Sequence, residues 1–256
     1  MQNYQKELEI AINVAREAGP IMLKYFDCEQ EVEFKDERSF LTIADKLINT
    51  LVINKLRAAF PEDGVIGEEE STTGYGMGRK WICDPIDGTA GYVWGTPTAM
   101  FSLALIVDGV PVVGVTYDPF LNKIYAGIKG DKSYCNDEEI HVSEMPLENG
   151  IVAINGNIRS MPEKSYYINV KSDKTIRLAT FSGLVYKAML VAKGKMVACI
   201  GPVHLHDIAA AHVIVENAGG KVTAGDGSLL DYSKPFVGVI VVSNKIVHEQ
   251  LVEYCK

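Results

Sequence analysis

No apolar run in this sequence approaches the roughly 20 residues that cross a bilayer, so no membrane segment is expected. Basic residues do not dominate. The 25 Lys and Arg stand against 33 Asp and Glu, a formal net charge of −8. A nucleic-acid polymer as partner is excluded on that ground, since it requires a basic footprint. A small anionic substrate stays open, because a bound cation inverts the local field. Cysteine is scarce and scattered: Cys28, Cys83, Cys135, Cys199 and Cys255 are odd in number and form no CxxC. That pattern excludes a disulfide framework and points to reduced thiols in a cytoplasmic protein. The polar opening Met1–Glu7 is not expected to be a signal peptide. Internal repeats and low-complexity tracts are also missing. What remains is 47% hydrophobic and 23% charged residues, enough for a sizeable core in one large domain or two closely joined ones.

The stretch that organises the chain is Trp81-Ile82-Cys83-Asp84-Pro85-Ile86-Asp87-Gly88-Thr89. Trp81 to Cys83 reads as a buried strand. Pro85 biases Asp84 toward extended backbone, so the strand is expected to end there, with a tight turn through Pro85-Ile86 returning Asp84 and Asp87 to one point. Two carboxylates at one point repel unless one is protonated or a cation lies between them. Gly88 lets a ligand approach its N–H. Read alone, the segment is also an ordinary polar turn.

Helical periodicity runs over residues 4–26, with Gly19-Pro20 as a kink, and again from Leu47 to Phe60 before Pro61. Thr42 with Asp45 three residues on is a capping-box-like start. Glu31 to Lys35 alternates as a short strand and leads into a charged loop at 35–39. Val65-Ile66 is a strand, Glu68-Glu69-Glu70 an acidic loop, and 72–80 a glycine-rich loop. Met100–Val107 and Val110–Tyr117 form a hairpin about Asp108-Gly109. Further strands are expected at Lys123–Ile128, Glu139–Val142, Lys195–Ile200, Lys221–Thr223 and Val237–Val242. Helices are expected at Phe181–Ala192, from Asp207 to Gly219-Gly220, and at Ile246–Tyr254. The mixed order with hairpins implies an α+β fold of helices layered on largely antiparallel sheets. Looser composition near residue 145 divides the chain into 1–145, carrying the acidic motifs, and 146–256, supplying Asp207.

Glu68, Asp84, Asp87 and Asp207 each stand at an expected strand end or helix start. If they converge, the cluster is all hard oxygen, which selects Mg²⁺, Mn²⁺ or Ca²⁺ over Zn²⁺. The carboxylates outnumber what one Mg²⁺ takes, so two or three ions are expected. Such a site holds an anionic oxygen ligand, activates water and stabilises a leaving oxygen, which fits a phosphate ester. Gly88 and Thr89 N–H groups opening a helix would cradle the phosphate. The Thr89 hydroxyl could relay a proton between the attacking water and an acid such as Asp45.

Gly67-Glu68-Glu69, the Trp81–Thr89 segment, and Asp207-Ile208-Ala209-Ala210 with Glu216-Asn217-Ala218-Gly219-Gly220 resemble the signature segments of the inositol monophosphatase family. The resemblance runs nearly end to end, through Thr42-x-x-Asp45 and the Asp108-Gly109 hairpin. It implies a layered αβαβα sandwich, a homodimer, and a Mg²⁺-dependent, lithium-sensitive phosphomonoesterase acting on a small phosphorylated metabolite. On that resemblance Glu68 ligates the first metal, Asp84 bridges two, the Ile86 carbonyl completes the first site, and Asp87 and Asp207 hold the second. Asp45 and Thr89 orient and deprotonate the nucleophilic water, and Gly88 and Thr89 amides bind phosphate.

Departures from the family pattern and likenesses to its other branches leave the substrate open. His206 precedes Asp207 where the family usually has tryptophan, and it is a candidate donor to phosphate or substrate. His204-x-His206 also permits a zinc reading, with both rings on one face of a strand. Ile200 stands where inositol phosphatases tend to place a glutamate. Gly201-Pro202 and Lys187 are similar to the relatives that cleave bisphosphate nucleotides; Lys187 is either substrate-binding or a lysine snorkelling to solvent. Tyr92 and Gly95-Thr96-Pro97 are similar to the histidinol-phosphate phosphatase branch, and fructose-bisphosphate phosphatase activity is a further alternative. Outside catalysis, the sequence also admits a silent metal- or phosphate-binding relative and a structural Ca²⁺ protein.

Overall fold

The computed structural model describes residues 3–28, 33–34, 40–156, 169–170, 172–173 and 175–256. Most of the 31–35 strand and the charged loop at 35–39 lie outside these residues; Glu33–Phe34 (β1) pairs with Phe40–Leu41 (β2).

Two helices begin the chain, α1 (Gln5–Tyr25) and α2 (Ile43–Ala59). Pro20 sits inside α1 without ending it. α2 starts as Thr42 and Asp45 imply, with a full capping box. A seven-stranded sheet follows in chain order: β3 (Gly64–Gly67), β4 (Arg79–Asp87), β5 (Met100–Val107), β6 (Val110–Asp118), β7 (Lys123–Ile128), β8 (Ser133–Cys135) and β9 (Glu138–Glu139). Only the β3–β4 pair is parallel. Asp108 and Gly109 both have positive φ in the two-residue β5–β6 turn, as a type I′ hairpin demands. Asn136-Asp137 turns between β8 and β9, and the strand expected over 139–142 reaches only Glu139.

The second sheet is mixed, with order β11-β10-β12-β14-β13. Its strands are β10 (Ile151–Ile154), β11 (Arg177–Ala179), β12 (Ala198–His204), β13 (Lys221–Ala224) and β14 (Val237–Ser243). Its helices are α4 (Leu184–Ala192), α5 (Leu205–Asn217) and α6 (His248–Cys255), and the one-turn α3 (Thr89–Val93) lies in the first half.

Strand alternation sorts the side chains into three cores. Trp81, Cys83, Leu103 and Val115 pack with α1 and α2 on one face of the first sheet. Ile82, Ala104 and Ile106 face α4 and α5, which also meet Cys199, Val203, Val222 and Val242 of the second sheet. Val152, Ile154, Ile200 and Val241 face α6. The result is an αβαβα sandwich with α4 and α5 in its middle layer. At Gly114 of β6 a Cβ would overlap the Ala210 carbonyl, so glycine is what lets α5 seat this closely.

Candidate metal and phosphate site

β4 does not end at Asp84. It runs to Asp87, with a register shift against β5 between Asp84 (opposite Ser102) and Asp87 (opposite Met100). β3 pairs with β4 only as far as Cys83, so beyond that point Pro85 has no ladder to break on the β3 side. The bulge, rather than a turn, brings the two carboxylates round. Asp84 Oδ1 accepts the Ile86 N–H at 3.0 Å.

Asp84, Asp87 and Asp207 each offer an oxygen within 4.8 Å of the others, and this is the only such grouping of three or more His, Cys, Asp or Glu among the described residues. Asp84 and Asp87 are buried. Burial, then the charges of Glu68, Asp87 and Asp207, hold the Asp84 carboxyl well above the usual carboxylate range. Burial and Asp207 push Asp87 up to about 7, against the Leu184 and Val185 amides and Lys187. No lysine or arginine ion pair relieves the cluster among the described residues. An all-oxygen, mutually repelling donor set fits a hard divalent cation.

Glu68 lies at the end of β3, its N–H donating to Cys83 O at 3.1 Å. Its charge acts on Asp84 and on Asp45, which places it at the edge of the cluster. The acidic loop is held by α2, since Asn49 Nδ2 donates to Glu70 O at 3.1 Å. Asn49 is buried, and an amide on the apolar face of α2 is the one signal that marks it in sequence.

Asp45 is fully buried. Its Oδ2 accepts from Thr42 N at 2.8 Å and Thr42 Oγ1 at 2.7 Å, while Oδ1 has no hydrogen-bond partner among the described residues. Burial, outweighing the Thr42 bonds and reinforced by Glu69 and Glu68, pushes its pKa up to about 7. The orphaned oxygen is the second observation that fits a polar ligand or ion here.

Gly88 caps α3 with φ +87, a conformation that favours glycine, and Thr89 Oγ1 donates to Ile86 O at 2.9 Å. Thr89 therefore touches the carbonyl expected to be a ligand, which keeps its second lone pair. Asp87 is held from 97 residues away: Oδ1 accepts Leu184 N at 3.0 Å and Oδ2 accepts Val185 N at 2.7 Å. Nothing in the local sequence announces that contact.

Asp207 stands in the first turn of α5 and its Oδ2 accepts the His204 N–H at 2.8 Å. β12 ends at His204 and His206 is already helical, so the two rings are not alternate strand residues. They stack at 5.3 Å with planes 4° apart, and His206 Nε2 lies 3.1 Å from Asp207 Oδ1. Neither ring joins the metal-ligand grouping among the described residues, against the zinc reading. Lys187 does not snorkel. It is 1% exposed, because α4 is buried on nearly all sides, and Nζ donates to Asn155 Oδ1 at 2.8 Å and lies 5.4 Å over the Phe181 ring. Ile200 packs toward α6 rather than toward the carboxylates. Tyr92 is structural in its contacts, its hydroxyl donating to Met22 O at 2.6 Å. From the glycine-rich loop, Tyr75 packs against the middle core, and burial with the Asp207 charge raises its pKa.

A family model described as "Inositol monophosphatase family" matches residues 3–256. A curated relative from Aquifex aeolicus, "Fructose-1,6-bisphosphatase/inositol-1-monophosphatase", is 29% identical over 264 residues, covering 100% of this chain and 97% of its own. A Chlorobaculum parvum "Histidinol-phosphatase" is 32% identical over 223 residues, 84% of each chain. The solved "IMPase/NADP phosphatase complexed with Mg2+ and phosphate" superposes with a TM-score of 0.85 at 25% identity, covering 99% of this chain and 96% of that one.

Proposed function

The chain belongs to the inositol monophosphatase family and is a phosphomonoester hydrolase, and on that premise we propose a Mg²⁺-dependent attack of water on a small phosphorylated metabolite. The observation that carries the reading is the trio Asp84, Asp87 and Asp207, three oxygens within 4.8 Å with no lysine or arginine ion pair among the described residues. Glu68, Asp84 and the Ile86 carbonyl would hold a first ion, and Asp84, Asp87 and Asp207 a second; two or three ions, Mg²⁺ or Mn²⁺, match the charge to be balanced. When bound, the ions supply Lewis-acid activation of water and neutralise charge on the phosphoryl and leaving oxygens.

The protein's own groups do the rest. Asp45 Oδ1, unpaired and with a pKa near 7, is suited to take a proton from the attacking water, and Thr89 to orient that water. Gly88 and Thr89 N–H groups bind the phosphate. His206, beside Asp207, and Lys187, whose charge acts on Asp87, are the candidates that bear on substrate choice. The 1–145 segment contributes all of these but Lys187, His206 and Asp207, which come from 146–256. Five free cysteines support a cytoplasmic location, and the family resemblance supports a homodimer.

The test is phosphate release with Mg²⁺ from inositol monophosphates, histidinol phosphate, fructose 1,6-bisphosphate and adenosine 3′,5′-bisphosphate, repeated with added lithium, which is expected to inhibit. Undiminished release in EDTA, or no release from any ester of the panel, would overturn the reading.

A further inference from the structure

The segment leading into α4 closes on the turn between β4 and α3. Beyond the Leu184 and Val185 amides on Asp87, Ser182 Oγ accepts the Gly91 N–H at 3.1 Å and donates to Gly88 O at 3.2 Å. The backbones touch as well. A Cβ on Gly88 would stand 2.8 Å from Gly183 N and Cα; one on Gly183 would stand 2.6 Å from Thr98 O and 3.1 Å from Asp87 Oδ2. Gly183 has φ +82. The location of residues 87–91 is therefore set from the second half of the chain as much as by their own sheet.

A single helical turn leaves its first N–H groups without intrahelical acceptors, and Gly88 has no side chain to cap them. Tyr92 N–H closes on Gly88 O at 3.1 Å. Gly91 N–H goes to Ser182, so a hydroxyl 91 residues away supplies the missing cap. The same hydroxyl ties Gly88 O, so both ends of the turn hang on one oxygen.

We propose that Ser182 is a positioning residue: it fixes the 88–91 turn relative to Asp87, so that phosphate-binding and metal-binding elements keep one geometry, with Gly183 providing the close approach. The inference rests on reading this turn as the phosphate-binding element.

Ser182→Ala leaves the Gly91 N–H unpaired while Asp87 keeps both of its amide donors. KM and the inhibition constant of inorganic phosphate are expected to rise together about tenfold. The change in kcat is expected to stay within about threefold and in Mg²⁺ half-saturation within about twofold, since the metal ligands are not touched. Gly183→Ala is the complementary variant. Its methyl presses on Asp87 Oδ2, so Mn²⁺ affinity, measured by calorimetry without substrate, is expected to fall at least about tenfold.

Phosphate binding to the Mg²⁺-loaded protein, also by calorimetry, separates this inference from the function it rests on. A wild type that binds phosphate but turns over no ester sinks the functional reading and leaves the clamp standing. A Ser182→Ala protein that binds phosphate as wild type does, whether or not its melting temperature drops, sinks the clamp and leaves the function standing.

Discussion

Replacing Asp45 by asparagine removes a charge while keeping the shape of the α2 cap. The amide oxygen can still accept from Thr42 N and Oγ1, and the NH₂ group takes the place of the unpartnered Oδ1. In the metal-free wild type the carboxyl titrates near 7 rather than at its ordinary 3.8, chiefly through burial. The folded state therefore holds its proton over a pH range where the unfolded chain has lost it. Stability from this group is full below pH 4 and is lost as pH rises toward 7. At ~1.4 kcal/mol per pH unit the loss has a ceiling of ~4 kcal/mol, and an effective dielectric nearer 20 than 4 brings it to ~2–4 kcal/mol. Asp45→Asn escapes that loss. In EDTA at pH 8 it is expected to melt on the order of 5–10 °C above wild type, with the gain shrinking toward zero by pH 4. Its phosphatase activity is expected to fall by ~10²–10⁴-fold. Urea and thermal unfolding at pH 4, 6 and 8, paired with one activity assay, make the measurement. A gain equally large at pH 4, or no gain at pH 8, refutes the argument that this carboxylate is held charged at a cost.

The two aspartates of the bulge are expected to differ in stability while both lose activity by ~10²-fold or more. Asp84→Asn removes a like charge and leaves the metal-free protein as stable as wild type or more so; Asp87→Asn turns an NH₂ toward the Leu184 or Val185 donor and costs ~1–3 kcal/mol, and chemical denaturation in EDTA gives the order. EDTA is expected to abolish phosphate release, with Mg²⁺ or Mn²⁺ restoring it and Zn²⁺ failing, since the grouped ligands are oxygen alone. His248, buried between Thr223 Oγ1 at 2.9 Å and Ser243 Oγ at 2.8 Å, is held down to about 4 by burial and Lys221. Its contribution is present above pH 6.5 and lost as pH falls toward 4, on the order of 1–3 kcal/mol, and His248→Asn is expected to flatten that part of the urea-midpoint profile.

Local chemistry was legible where neighbours in sequence are neighbours in space. Thr42 and Asp45 form the box that their spacing implies, and Asp108-Gly109 makes the expected hairpin. Asp84 and Asp87 meet as expected, although through a bulge inside β4, because Pro85 faces an edge that β3 no longer covers. Contacts across the chain were not legible. The amides that hold Asp87 lie 97 positions on and carry no side-chain signature. Lys187 is expected at a surface from its residue type alone. It is enclosed because α4 fills the middle layer between two sheets, a fact of stacking that no window of α4 contains.

Three of the four aspartates at the site also finish a piece of backbone. Asp45 completes the cap of α2, Asp207 reaches back to the His204 amide at the start of α5, and Asp87 takes the first amides of α4. A descendant that abandoned catalysis would gain little by discarding them, since each still begins a helix. Their presence in a chain is thus weak testimony to a working enzyme. Asp84 is different: it costs the empty fold charge repulsion and caps no helix, its backbone bond being a local one to Ile86. Among lineages that drift from phosphatase to scaffold, position 84 is the one expected to change first, and a retained aspartate there is the better mark of a chain still under selection for chemistry.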